Sequence, residues 1–387
     1  MSLSRKKKWL CGSIGTVLLL SVVYMSLPYY ARQALVHWMP VIDDLETFHR
    51  NVVHHATGDV WHWERAENYN RYRLLPADSA YLDSLHTVSF LVIRHDSILF
   101  ESYRDGWNDT LTSNLYSATK TIVGLLTGIA LDEGKIHSLD DKVSRYIPSY
   151  TKGMQADVTV RDLLTMSGGM AWDESYASLF SVTTHGYYGN DLYRLVTGLE
   201  VTDRPGVQFS YRSGETQLLA FVLEAATGET LSRYAEEKLW KPMQAERDAY
   251  WLLDKEGGDE KAFCCFHTTA RDVARFGRLM LHRGNWNGEQ LVSQAYMDEM
   301  LRSASYLKDQ WGKNPLDYYG LQTWIMRYHG EAIPCMRGML GQYIYAIPSE
   351  DAIVVRLGRK RHDVYEGPFT VDMTRYLDIA RRILAGG

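Results

Sequence analysis

Ser117-Ala118-Thr119-Lys120 brings a hydroxyl and an amine to a spacing at which one can take a proton from the other. A serine that starts a helix has its backbone N–H near the positive end of the helix dipole, where a developing oxyanion is stabilised. A lysine three residues on lies on the same face, one turn away. Partly buried, its ammonium loses its proton more readily, and the free amine can then accept the serine proton. The pattern alone is common: Ser4/Lys7, Ser149/Lys152 and Ser305/Lys308 repeat it, and a helix-start serine needs no chemical role. Context separates the first. Ser117 leads an apolar helical run containing Ile122, Val123, Leu125, Leu126, Ile129 and Ala130. Ser4 sits in a basic cluster, Ser149 follows Pro148 in a turn, and no apolar helix follows Ser305.

A second element, Tyr211-Arg212-Ser213, stands just ahead of the apolar run Thr216 to Ala226 and is expected to aim a phenol and a hydroxyl into a cleft. A phenol exchanges protons usefully only if a neighbouring cation lowers its pKa from about 10, and Lys120 is the expected cation. A third element, Arg337 to Tyr343, is rich in glycine at the start of a strand. Gly341 would allow close backbone approach, and the Gln342 N–H would be the second oxyanion donor beside that of Ser117. Trp172, Tyr176, Tyr187, Tyr188, Trp324 and Tyr343 are candidates for the pocket wall, with core packing the competing role of each. The scattered histidines, including His54, His55 and His185, show no metal-ligand spacing. No metal or cofactor is expected.

Together these elements resemble the serine β-lactamase-related superfamily, which includes the penicillin-binding proteins, with its Ser-x-x-Lys, Tyr-x-Asn/Ser and Lys/His-Thr-Gly-type set. The connecting stretches LYSATKTIVGLLTGIALDEGKI, LDDKVSRYIPSY, VTVRDLLTMSGGM, FSYRSGETQLLAFVLEAATG and TTARDVARFGRLMLHRG are similar in character and order to the class C branch. That branch holds esterases, D-aminopeptidases and 6-aminohexanoate-dimer hydrolases. The resemblance covers roughly residues 85 to 385. It implies Ser117, Lys120 and Tyr211 as catalytic residues, with Gly341, Gln342, Ser213 and Trp172 toward the substrate. Ser213 stands where β-lactamases usually carry Asn, and Met339-Leu340-Gly341 stands where they carry Lys-Thr-Gly or His-Thr-Gly. The missing cation argues against efficient β-lactam hydrolysis. An ester or linear-amide hydrolase acting through an acyl-enzyme is expected first, a cell-wall D-amino-acid peptidase second and a β-lactamase third. The rival of another class is an idle, anchored sensor of peptidoglycan fragments or β-lactams.

The elements that must position these groups follow from pattern. Thr87 to Arg94 and Ser97 to Tyr103 read as a hairpin turning at His95-Asp96. A helix runs from Ser117 to Glu133 and stops at Gly134. Helical segments are expected at Val160 to Met166, Asp191 to Thr197, Thr216 to Ala226, Leu231 to Leu239 and Thr268 to His282. Strands are expected at Tyr318 to Tyr328, Gln342 to Ile347 and Ala352 to Leu357, and a closing helix at Val371 to Leu384. The predicted class is α+β: an antiparallel sheet flanked by helices, built from about 85–135 and 261–387, with a helical insertion over about 136–260. Residues 76–387 form the hydrolase domain and 32–75 a connector.

Composition sets the remaining bounds. The 387 residues are 45% hydrophobic and 23% charged, with a net charge of −5, and no basic stripe outside the N-terminus suggests nucleic acid. Arg5 to Lys8 precede an uncharged stretch, Trp9 to Ala31. Residues 1–31 therefore read as a membrane anchor or, alternatively, a cleaved signal, which places the body in a bacterial periplasm. Cys11 precedes the apolar run and does not read as a lipoprotein cysteine. Cys264 or Cys265 pairs with Cys335 in an oxidising compartment, or all three are buried thiols.

Overall fold

The computed structural model describes residues 5–58 and 60–386. Its main sheet has the strand order Trp324–Tyr328, Glu331–Gly338, Gln342–Ile347, Ala352–Gly358, Thr87–Arg94, Ser97–Tyr103, Glu64–Arg65. Every adjacent pair is antiparallel except the last. The two ends of the chain meet where Thr87–Arg94 pairs with Ala352–Gly358, so the expected antiparallel sheet is present. His95 and Asp96 both take left-handed φ, +49° and +56°, the pair that a tight hairpin turn needs to match strand twist.

The sheet is covered on both faces, by Val371–Gly386 on one and Ala270–Leu281 on the other. That explains why Ile353, Val354 and Val355 are all buried rather than alternating. Gly277 lets the second helix approach closely, since a Cβ there would stand 2.6 Å from Ile353 Cγ2. Between the halves lie the helices Val160–Leu164, Val182–Tyr188, Leu192–Gly198, Ser213–Thr227 and Leu231–Ala235. Thr159, Ser181, Asp191 and Thr230 cap four of them by accepting a first-turn N–H. Ser213–Thr227 packs against Thr119–Asp132, which joins the second chemical element to the first.

Several elements differ from pattern. The strand expected from Tyr318 begins at Trp324, because Gln322 at φ +52° turns the chain before it. Glu331–Gly338 is a strand that pattern missed, since Pro334 and the absence of alternation hide it. A second sheet of Arg50–Val53, Ala249–Leu252, Phe266–Thr268 and Ser113–Asn114 also went unread, each strand having four residues or fewer. The segment 32–75, expected as a connector, supplies a strand to each of these two sheets and buries Ile42, Val53 and Trp63.

The N-terminal helix is Arg5–Ser26, and Tyr29–His37 after it docks on Val182–Tyr188 with Tyr30 stacked on His185 at 4.2 Å. Among the described residues no helix is long and apolar enough to cross a membrane, so the spanning anchor expected there finds no support in the fold. Ser4, of the first rival pair, lies outside the described residues. Cys264 and Cys265 are bonded to each other and Cys335 is a buried free thiol, which replaces both expected arrangements of the cysteines.

Candidate active site

The strand Glu331–Gly338 runs beside the 3-10 turn Tyr116–Ala118. Gly338 makes that approach possible, because a Cβ there would fall 2.1 Å from the Leu115 carbonyl oxygen. Tyr116 takes φ +47°, a left-handed conformation that costs a non-glycine residue roughly 1–2 kcal/mol. Its N–H is held by Asn114 Oδ1 at 2.9 Å. Ser117 follows within the turn, and Lys120 lies in the first turn of Thr119–Asp132.

Lys120 Nζ stands 2.8 Å from Ser117 Oγ and donates to the Phe263 carbonyl at 2.6 Å. Its side chain is buried, and loss of hydration pulls its pKa down to about 7, with the Glu174 carboxylate opposing. Nζ also lies 5.1 Å from the centre of the Tyr211 ring. The Tyr211 hydroxyl is buried and lies near Ser117, short of a hydrogen bond of ordinary geometry. Burial, then Glu174, push this phenol well above its ordinary range, while Ser117 and Arg337 pull the other way. The expectation that Lys120 acidifies Tyr211 is therefore reversed. The amine is the group that loses its proton near neutrality, and the phenol keeps its own.

Ser117 and Tyr211 open into one cleft of about 490 Å³. Tyr176, Trp324 and Tyr365 supply its aromatic wall, and Gly338, Met339 and Leu340 its backbone edge. Its charged lining is Glu174 and Asp363 against Arg337, Lys360 and Arg361. Arg337 donates to the Pro368 carbonyl at 2.7 Å and to the Tyr365 hydroxyl at 3.3 Å, and Arg361 to the same hydroxyl at 2.8 Å. Among the described residues, neither guanidinium pairs with a carboxylate.

Tyr211, distant in sequence, is thus brought to Ser117 and Lys120; the other candidates are not all beside them. Ser213 is buried at its helix start, where its N–H donates to the Glu174 carboxylate. Trp172 packs edge-on against Phe263 at 5.7 Å, seated on Gly186 and Gly214, behind the cleft rather than in its lining. Gln342 is fully buried: its amide donates to the carbonyls of Met339 at 3.0 Å and Gly358 at 2.7 Å, and accepts the Gly358 N–H at 3.1 Å. Gly341 abuts Arg356, whose Nη1 would stand 2.0 Å from a Cβ. The left-handed turn at Leu340, φ +61°, carries the chain away from the cleft. Gly338 to Leu340, not Gly341 and Gln342, therefore border it. Of the aromatic candidates Tyr176 and Trp324 line the cleft, whereas Tyr187, Tyr188 and Tyr343 are buried in the core. Glu174, Arg361 and Tyr365 were missed. The run Arg359-Lys360-Arg361 was the one signal for them; Glu174 sits in an irregular loop with none.

Comparison with known proteins bears on this arrangement. The sequence pattern of the Beta-lactamase family matches residues 79–368. A 6-aminohexanoate-dimer hydrolase of Paenarthrobacter ureafaciens is 29% identical over 333 residues, 79% of this chain and 82% of that protein. A Bacillus anthracis protein provisionally named 6-aminohexanoate-dimer hydrolase superposes with a TM-score of 0.77 at 22% identity, over 88% of this chain and 92% of its own. A family VIII carboxylesterase shares the fold at a TM-score of 0.62 and 16% identity, over 83% and 98% of the two chains.

Proposed function

Since the chain belongs to the β-lactamase family, we propose that it is a hydrolase of esters and linear amides that carries the acyl group on Ser117. Neutral Lys120 takes the Ser117 proton as Oγ attacks the carbonyl carbon, and the N–H groups of Ser117 and Met339 receive the oxyanion. Tyr211, still protonated, donates to the departing oxygen or nitrogen. Water then attacks the acyl-enzyme and gives its proton to the Tyr211 phenolate, while Lys120 returns its proton to the departing Ser117 oxygen. The 2.8 Å contact between a buried amine and Ser117 Oγ, beside the shared cleft, carries this reading.

The charges of the cleft support a particular substrate class. Two guanidiniums without carboxylate partners suit an anionic end, and Glu174 suits a cationic one. A short amide with an amine at one end and a carboxylate at the other, such as a 6-aminohexanoate dimer, meets both, as the similarity to that hydrolase suggests. Arg337 in the cleft also favours a second reading, a peptidase for D-amino-acid peptides with a free carboxylate. A panel of nitrophenyl esters, 6-aminohexanoate dimer, D-Ala-D-Ala peptides and nitrocefin, with fluorophosphonate labelling of the wild type and Ser117→Ala, decides between them. Turnover or labelling surviving in Ser117→Ala would sink the nucleophile; labelling without turnover of any member would mark a sensor.

An envelope location belongs to the same proposal. Ile14, Leu18, Leu19 and Leu20 on the N-terminal helix are more than half exposed, and the Cys264–Cys265 bond fits an oxidising compartment. Fractionation with alkaline extraction is expected to leave the chain with membranes; release into the cytosolic fraction would refute this.

A further inference from the structure

Asp44 lies upstream of the family-matched stretch 79–368, yet its carboxylate is 5% exposed and stands beneath the nucleophile turn. Asn114 Nδ2 donates to its two oxygens at 3.0 and 3.3 Å, and the Tyr187 hydroxyl donates to Oδ2 at 2.5 Å. His267 Nε2 stands 3.1 Å from Oδ1. Each partner belongs to a different piece of the site. Asn114 Oδ1 holds the N–H of Tyr116, the left-handed residue immediately before Ser117. Asn114 N–H donates to the Ile42 carbonyl at 2.7 Å, so the backbone of the same segment is tied to the turn. His267 lies in the strand Phe266–Thr268, which follows the loop whose Phe263 carbonyl accepts from Lys120. Tyr187 lies in the helix whose Gly186 seats Trp172 against Phe263.

We infer that Asp44 is a positioning residue for acyl transfer: through Asn114 it holds the Tyr116 turn, and through His267 and Tyr187 the Lys120 side of the site, so that Ser117 Oγ and Nζ keep their contact. It touches neither substrate nor reacting atoms. A buried carboxylate with partners on three separate segments transmits its orientation to all of them, because each loses its acceptor if it shifts alone. The inference rests on Ser117 as nucleophile.

The test is kinetic, made well below the melting temperature so that general destabilisation is not what is read. Asp44→Asn keeps the shape but turns a donor toward Asn114 or Tyr187. It is expected to lower kcat by about ten- to a hundredfold with KM within about twofold, since small displacements of reacting groups cost this much. The fluorophosphonate labelling rate should fall in proportion. Asn114→Ala should also lower kcat, and the double variant should lose less than the product of the two single losses, because both break the one Asp44–Asn114 contact. Asp43→Asn, which breaks only the neighbouring surface pair with Arg359, should leave kcat unchanged. If Asp44→Asn does not fold, Tyr187→Phe, which removes one donor and no charge, should show the same split at smaller size. Wild-type kcat and labelling in Asp44→Asn, or in Tyr187→Phe where Asp44→Asn does not fold, or additive losses in the double variant, would overturn the inference. Labelling retained by Ser117→Ala would instead remove the nucleophile beneath it.

Discussion

A lysine ammonium taken into a packed interior gives up its hydration, and among the described residues Lys120 gains in return hydrogen bonds only to one hydroxyl and one carbonyl. Its pKa therefore falls to about 7 from an ordinary value near 10.5, so acid converts it to a form that cannot accept the Ser117 proton. The sign follows: kcat/KM should rise with pH through a limb centred near 7, and a flat profile from pH 5 to 9 would contradict it. Glu174 opposes the shift. Glu174→Gln should make the ammonium less stable still and move that limb to lower pH; movement upward would show that its charge acts elsewhere. Lys120→Met should cut kcat/KM by about 10²–10⁴-fold, the range for a lost proton acceptor, measured by nitrophenyl-ester turnover with circular dichroism to show an intact fold. The three principal groups were legible as residue types at a spacing. The direction of proton flow between Lys120 and Tyr211 was not, because burial decides it and the sequence shows no burial.

Among the elements, the strand Glu331–Gly338 is the one whose placement decides the cleft. Gly338 faces the Leu115 carbonyl with no room for a methyl group. Gly338→Ala must push the strand from the nucleophile turn, at a cost of about 1–3 kcal/mol for overpacking. It should lower kcat more than tenfold while the denaturation midpoint falls modestly; unaltered kcat would show that the strand does not set the oxyanion donors. The hairpin Thr87–Tyr103, the helix Thr119–Asp132 and the strand Gln342–Ile347 were readable, since each pairs a clear apolar pattern with a turn or stop signal. The strand beside the nucleophile was not, because Pro334 and its uneven polarity imitate a loop. That omission also drew the expected oxyanion donor to the Gln342 N–H, although Gly338 to Leu340 are the residues of this stretch that border the cleft.

For the whole molecule, the body begins well before the family-matched residues. Residues 29–65 bury Ala31, Ile42, Val53 and Trp63, stack Tyr30 on His185 and complete both sheets. A chain starting at residue 76 loses those contacts and the Asp44 carboxylate together, and is expected to aggregate or melt without a cooperative transition. A chain starting at residue 28, lacking only the N-terminal helix, should keep its melting temperature and its turnover. A stable, active protein beginning at residue 76 would refute this division, and calorimetry with ester turnover makes the comparison.

Sequence alone determined the chemistry available: a hydroxyl and an amine one turn apart, a phenol ahead of a second helix, and strands near both ends of the chain with helices between. These are local properties, set by neighbours within a turn or two, and pattern reads them. The tertiary structure alone decided which atoms meet and in what medium. It took Lys120 out of water, turned Gln342 and Trp172 inward, set Arg337 and Arg361 on the cleft wall, and brought Asp44 beneath a turn more than sixty residues later. Burial and long-range contact depend on the packing of distant segments, and no local spacing encodes them.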